Sequence, residues 1–429
     1  MNFVDSDILA SIMLSYDYSI SNNINDADII LLNTCSIRNK AEERIKKRLR
    51  ELRFLKKKNR LLLIGIVGCM AERLKEQLLE EGDVDIVVGP DAYRSLPALL
   101  SSMNNNDKII NVELSEEETY SDIKPVRLSS NGVSAFIAIM RGCENYCSYC
   151  VVPYTRGAER SRPPESIINE ATELFNNGYK EISLLGQNVN SYLWKEGDTV
   201  IDFPDILKMV ANINPLLRVR FATSHPKDIS DKLIQVIAST HNICKSIHLP
   251  VQSGNNRILN LMNRNYTREY YLERIATIRK NIPDCSVSTD IIAGFCTETE
   301  EEHKDTLSLM DLAVYDNAFM FMYSGREGTY AARYLDDNVP EHIKKRRLNE
   351  IIEKQRKLSV FNNKKEIGTV QEVLIEGKSK RESEYLSGRT SKNKVVVFPA
   401  EGYSPGEYVN IEITACTSAT LIGKIIKHI

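Results

Sequence analysis

No stretch of this 429-residue chain is apolar for long enough to cross a bilayer, which excludes a membrane-spanning helix read from hydropathy. No positively charged leader with an apolar centre and a cleavage site opens it, so a cytoplasmic protein is expected. Charge of one sign is lacking too. The 56 Lys and Arg against 58 Asp and Glu leave a formal charge of −2, so the overall balance says nothing about nucleic acid and local charge must decide. Hydrophobic residues at 42% and charged residues at 27% describe an ordinary globular chain whose length asks for about two to four domains.

Nine cysteines are present, and in a chain that is not exported they favour metal or redox chemistry over disulfides. Cys143, Cys147 and Cys150 fall within eight residues, after the apolar run Ala135 to Met140. A structural zinc site takes four ligands, usually as two pairs, and no fourth cysteine or histidine lies near. Three thiolates suit a [4Fe–4S] cluster whose fourth iron is left open to a ligand that is not protein. An accidental cysteine group or an unusual zinc knuckle is the alternative. His225 and His248 have no partner at ligand spacing, and Cys244, Cys285, Cys296 and Cys416 are isolated, so core or surface thiols are expected there.

Around the triplet the chain reads as alternating β and α. Helical spacing over Asp5 to Tyr16 precedes the apolar runs Ala27 to Leu32, Leu61 to Val67 and Val84 to Val88, which predict a parallel sheet covered on both faces. Cys35 and Cys69 each follow one of these runs and so stand at strand carboxyl ends, where open sheets bind ligands; buried structural thiols are the equal alternative. A polar linker, 116–132, follows. From Ala135 to Tyr323 a strand and helix recur six times, predicting a partial (β/α)6 barrel with Gln187, Asn188, Ser224, His225, Gln252, Ser253 and Gly294 on the loops of its carboxyl face. The basic helix from Glu341 reads as a solvated face. Short β runs between 368 and 429 predict a small OB-like β-barrel, with a basic loop from Lys378 to Lys394 suited to phosphate.

Long strings carry a resemblance: NTCSIRNKAEER (Asn33 to Arg44), GCMAER (Gly68 to Arg73), RGCENYCSYCVVPYTRGAERSRP from Arg141, LLGQNVNSY (Leu184 to Tyr192), HLPVQSG (His248 to Gly254) and SGRTSKNKVVVF (Ser387 to Phe398). Over essentially its whole length the chain resembles the radical S-adenosylmethionine (SAM) methylthiotransferases, in their bacterial tRNA branch. The resemblance implies an N-terminal cluster domain (1–115), a radical SAM domain (133–362) and a C-terminal TRAM domain (366–429). It implies insertion of a methylthio group at C2 of N6-isopentenyladenosine-37 in tRNA. Two [4Fe–4S] clusters and SAM are the implied cofactors, with Cys143, Cys147 and Cys150 on the barrel cluster, whose open iron takes SAM, and Cys35 and Cys69 on the auxiliary one. Tyr149, Gln187, Ser224, Gln252 and Asp290 are candidates for SAM or the barrel face; Arg389, Lys392 and Lys394 are candidates for tRNA. The implied partners are isopentenylated tRNA, a reductant such as flavodoxin or ferredoxin, and iron–sulfur assembly factors, around a monomer.

Relatives acting on threonylcarbamoyl-adenosine in tRNA or on a ribosomal-protein aspartate are the nearest rivals, and Ser36-Ile37-Arg38 with the Glu144 to Cys147 insertion favours the isopentenyl branch. A non-catalytic iron–sulfur RNA-binding protein is the rival of another class. Two departures from the family stand out. Where it usually reads GFPGET, this chain has Gly294-Phe295-Cys296-Thr297-Glu298-Thr299. Relatives also open on a strand ending in GCQMN, and Met1-Asn2 aligns with its last two residues, so the first strand and the third auxiliary ligand are expected upstream of Met1.

Overall fold

The computed structural model describes residues 1–34, 39–80, 83–103, 107–128, 130–380 and 384–426. The chain divides into two compact units, one of residues 1–129, 140–146 and 150–162 and one of residues 130–139, 147–149 and 163–429.

In the first unit a parallel sheet runs in the order β1 (Ile29–Thr34), β2 (Leu63–Gly68), β3 (Ile86–Val88) and β4 (Ile109–Asn111). Parallel strands need crossovers. The helices Asn39–Lys58, Cys69–Leu74 and Leu96–Ser101 supply them. Leu49, Leu52, Ile64, Ile66, Met70 and Val87 make the core. The first three strands lie on the expected runs, whereas β4 is three residues long and does not stand out from its polar flanks. The first helix, Asn2–Leu14, begins earlier than its apolar pattern and buries Val4, Ile8, Leu9 and Ile12 together with Asp5. Asn33 on β1 holds it by donating to Asn2 O and Ser6 Oγ, both at 2.9 Å.

The stretch expected as a linker is anchored. Tyr120 is buried, its hydroxyl donating to Pro90 O at 3.0 Å, and its ring stacks on Tyr93 with centroids 5.8 Å apart. The chain then enters the second unit at β5 (Ser134–Ala138), and the antiparallel pair β6 (Met140–Arg141) and β7 (Arg160–Ser161) belongs to the first.

In the second unit β8 (Glu181–Leu185) pairs with β5, and a small hairpin, β9 (Leu193–Glu196) with β10 (Thr199–Asp202), precedes β11 (Arg218–Ala222). There follow β12 (Ser246–His248), β13 (Ser286–Ala293) and β14 (Asn317–Met322). Val219 bridges in parallel to Ile243, just before β12, and so joins β5-β8-β11 to β12-β13-β14. All six expected strands are present, in chain order and parallel. Strand β13 shows the two faces: Val287, Thr289 and Ile291 are buried, while Ser288 and Asp290 are half-buried.

The helix Glu341–Lys364 corrects the expectation of a solvated basic face. Lys344 and Arg347 are buried, Lys344 beside Asp337 and Arg347 donating to Glu298 at 3.0 Å, because this helix packs on β13 and β14. The five-stranded closed barrel at the end is β15 (Val370–Lys378), β16 (Tyr385–Thr390), β17 (Val395–Pro399), β18 (Tyr408–Cys416) and β19 (Thr420–Ile425), in the order β15-β16-β17-β19-β18. The predicted basic loop therefore contains a strand, β16, over Tyr385–Thr390. Gly388 on β16 conceals it from sequence patterning, and the glycine is required because a Cβ there would lie 2.2 Å from Leu374 O.

Candidate active site

The cysteine segment is positioned by close backbone approach. Arg141 pairs with Arg160 across β6 and β7, and the Cys143 N–H donates to Gly157 O at 3.2 Å. Gly142, at φ 79°, must be glycine, since a Cβ would sit 1.8 Å from Ala158 O. Cys143, Cys147 and Cys150 are half-buried and take part in no disulfide among the described residues. Asn145 Nδ2 donates to Cys143 Sγ at 3.3 Å, the Val152 N–H to Cys150 Sγ at 3.4 Å, and Arg264 Nη1 to Cys147 Sγ at 3.3 Å.

Each of the three sulfurs thus accepts an N–H, an environment suited to a thiolate. Among the described residues no three His, Cys, Asp or Glu close on a single metal ion.

Within the first unit Cys69 follows β2 at the start of its helix and is buried. Arg156 Nε donates to its sulfur at 3.2 Å. Arg156 is in turn held by Asp5, which also accepts from Arg141 Nη1 at 3.0 Å. Burial pushes the Asp5 carboxyl up, but Arg156 and Arg141 outweigh it and bring it down to about 2. Arg160 Nη1 pairs with Asp91 at 2.7 Å. Cys35 lies outside the described residues.

The carboxyl face of the six-stranded sheet gathers buried polar atoms that have no hydrogen-bond partner among the described residues. Gln187 Oε1, both side-chain polar atoms of Asn190, Ser224 Oγ and His225 Nε2 are buried and make no hydrogen bond within the described chain. Such groups are costly unless something meets them, about 1–3 kcal/mol each. His225 Nδ1 accepts the Lys227 N–H at 3.3 Å, which leaves Nε2 as a donor. Burial, then Arg264 and Lys227, pull its pKa down to about 2, so the ring is neutral. Asn188 differs, donating to Asp228 at 2.7 Å and accepting the His225 N–H at 3.0 Å. Strain marks the same loops: Thr223 at φ 73° and Gln252 at φ 70° are left-handed, and for a β-branched residue such as Thr223 this costs about 1–3 kcal/mol.

The other expected residues fall as follows. Tyr149 packs edge-on against Phe295 with centroids 6.3 Å apart. Gln252 bonds through its backbone to Asp290 and Ile292, both at 2.9 Å. Asp290 Oδ1 lies 3.4 Å from His248 Nε2. The divergent Cys296 is fully buried in a core with Phe295 and Tyr323. Its loop is closed by Glu298, which accepts the Gly294 N–H at 2.8 Å.

Arg389, Lys392 and Lys394 lie where the small barrel seats on the parallel sheet. Arg218 and Arg220 donate to the carbonyls of Arg389 and Thr390, both at 2.7 Å. Lys392 pairs with Glu366 at 3.1 Å and Lys394 with Asp316 at 3.1 Å, while the Arg389 side chain is 37% exposed and pairs with Glu376 at 3.1 Å. Lys378 and Lys380, on the same module, are exposed. Arg264, Arg156 and Asp5 had no sequence signal, because the contacts in question span 117 residues from Arg264 to Cys147, 87 from Arg156 to Cys69 and 151 from Arg156 to Asp5.

Residues 137–310 match the Radical SAM superfamily, residues 364–426 the TRAM domain, and residues 1–89 the Uncharacterized protein family UPF0004. A radical S-adenosylmethionine methyltransferase, TsrM from Kitasatospora setae, superposes with a TM-score of 0.56 at 12% identity, over 74% of this chain and 69% of that one. The cobalamin-dependent S-adenosylmethionine radical enzyme OxsB superposes with a TM-score of 0.54 at 12% identity, over 82% of this chain and 53% of that one. Fold and matches together define a radical SAM protein that carries a TRAM barrel. A tRNA-2-methylthio-N(6)-dimethylallyladenosine synthase from Bacteroides fragilis is 55% identical over 99% of this chain and 93% of its own length. The synthase of Amoebophilus asiaticus is 55% identical over 99% of this chain and 90% of its own. The chain belongs to the family of tRNA-2-methylthio-N(6)-dimethylallyladenosine synthases.

Proposed function

We propose that this chain is a radical SAM methylthiotransferase that places a methylthio group on C2 of N6-isopentenyladenosine, also called dimethylallyladenosine, in tRNA. The 55% identity over 99% of the chain with a protein named for that synthesis carries the proposal. Cys143, Cys147 and Cys150 hold the barrel cluster. When bound, this cluster supplies the electron that opens radical chemistry from SAM at a C–H bond that side-chain bases cannot usefully ionise.

The chain's own residues bind and orient. Ser224, Gln187, Asn190 and neutral His225 present polar atoms that a ligand's polar groups would satisfy, on the loops where such sheets bind ligands. Tyr149, Gln252 and Asp290 line the same region. Cys69, with Cys35, serves a second cluster in the N-terminal unit. Lys378 and Lys380, with Arg389, grip tRNA phosphates, whereas Lys392 and Lys394 spend their charge on carboxylates that seat the small barrel. A tRNA substrate supports a cytoplasmic location.

The test is Cys147→Ala in anaerobically reconstituted protein. The variant is expected to fold, to lose about four irons, one cluster's worth, and to form no 5′-deoxyadenosine from SAM and dithionite. Retained 5′-deoxyadenosine formation would refute the assignment.

A further inference from the structure

We infer that Arg264 is a positioning residue for Cys147: it holds the cysteine's sulfur in place and sets the reduction potential of the cluster there. The inference rests on the proposal that Cys147 is a cluster ligand. Arg264 is 4% exposed, and its three nitrogens have three different partners. Nε donates to Tyr266 Oη at 3.0 Å, Nη2 to Pro250 O at 2.7 Å, and Nη1 to Cys147 Sγ at 3.3 Å. Tyr266 is itself fixed, donating to Val251 O at 2.8 Å.

The backbone is shaped to aim this side chain. Asn263 and Asn265, its two neighbours, both have φ 55°, the left-handed conformation that asparagine accepts more readily than most residues. The preceding turn clamps the residue after Cys147: the Ser148 N–H donates to Met262 O at 3.0 Å and Ser148 Oγ to Leu261 O at 2.7 Å. On the other side Ser148 O accepts the Ala331 N–H at 2.7 Å. Residues 261–264 therefore meet residues 147–148 at three points, two backbone carbonyls and one guanidinium.

A guanidinium is the suitable group for this task. It cannot lose its proton and its planar fork spans several acceptors at once, which a lysine ammonium cannot do from one nitrogen. A fixed positive charge and an N–H on a ligand sulfur both favour the state with one more electron, since cluster potentials follow net charge and hydrogen bonds to sulfur. Arg264 thus makes the cluster easier to reduce and keeps Cys147 from swinging away.

The experiment compares wild-type protein, Arg264→Gln, Arg264→Lys and Cys147→Ala, full-length and reconstituted anaerobically, by iron content and by EPR-monitored titration with dithionite. Arg264→Gln is expected to keep its iron, to show a lower midpoint potential for the SAM-responsive signal, and to form 5′-deoxyadenosine about 10–100-fold more slowly, as when an outer partner of a metal ligand is lost. Arg264→Lys should fall between. An Arg264→Gln protein with full iron and the wild-type midpoint overturns the inference. Should that variant not hold iron, a wild-type midpoint in Arg264→Lys overturns it instead. Cys147→Ala with undiminished iron would defeat the cluster assignment itself.

Discussion

The Nε of Arg156 lies 3.2 Å from the sulfur of Cys69, and both residues are buried. Arg156 stands six residues after Cys150, so a cysteine of the N-terminal sheet and the segment following the barrel triplet share one guanidinium. Arg156→Ala leaves Asp5 with Arg141 alone and takes a donor from Cys69. Removing one partner from a buried ionic group costs about 3–5 kcal/mol. Urea unfolding should register that loss, and an undiminished midpoint would show the group to be wetter than the structure has it.

Asp5 makes stability acid-sensitive. Its folded carboxyl titrates at about 2 against 3.8 for the free group, so between these values the unfolded chain binds more protons. Its contribution, roughly 2 kcal/mol, is complete above pH 4 and is lost as pH falls through about 2. Unfolding followed at stepped pH should show this slope in the wild type, and Asp5→Asn should flatten it.

Much of the architecture was legible because it is periodic. Six apolar runs separated by amphipathic stretches can only be a parallel sheet with crossovers, and each run became a strand. What escaped had no local pattern. Strand β16 contains Gly388 and Arg389, chosen for close approach to β15 and for pairing with Glu376. Lys344 and Arg347 look solvated in a charged run, yet their helix packs against the sheet, and Asp337 and Glu298 are there to meet them. At the site, the cysteine spacing is local and could be read, whereas Arg264 lies 117 residues from the sulfur it touches. The carboxyl-face residues Gln187 and Ser224 were found from strand ends alone; that their polar atoms are buried without partners needed coordinates.

For tRNA, the exposed lysines and the paired ones should separate. Lys378→Gln with Lys380→Gln is expected to weaken binding and to reduce the slope of log affinity against log salt by about 0.7–0.9 per lost phosphate contact. Lys392→Gln with Lys394→Gln should chiefly lower the stability of the small barrel on its seat. An unaltered slope in the first pair would move the phosphate grip elsewhere.

The central claim is tested most directly by incubating the reconstituted protein with SAM, dithionite and isopentenylated tRNA and analysing the digested nucleosides by mass spectrometry. The expected result is conversion of N6-isopentenyladenosine to its 2-methylthio derivative, dependent on both SAM and reductant. Unchanged isopentenyladenosine beside accumulating 5′-deoxyadenosine, or a methylthio group on another nucleoside, would contradict it.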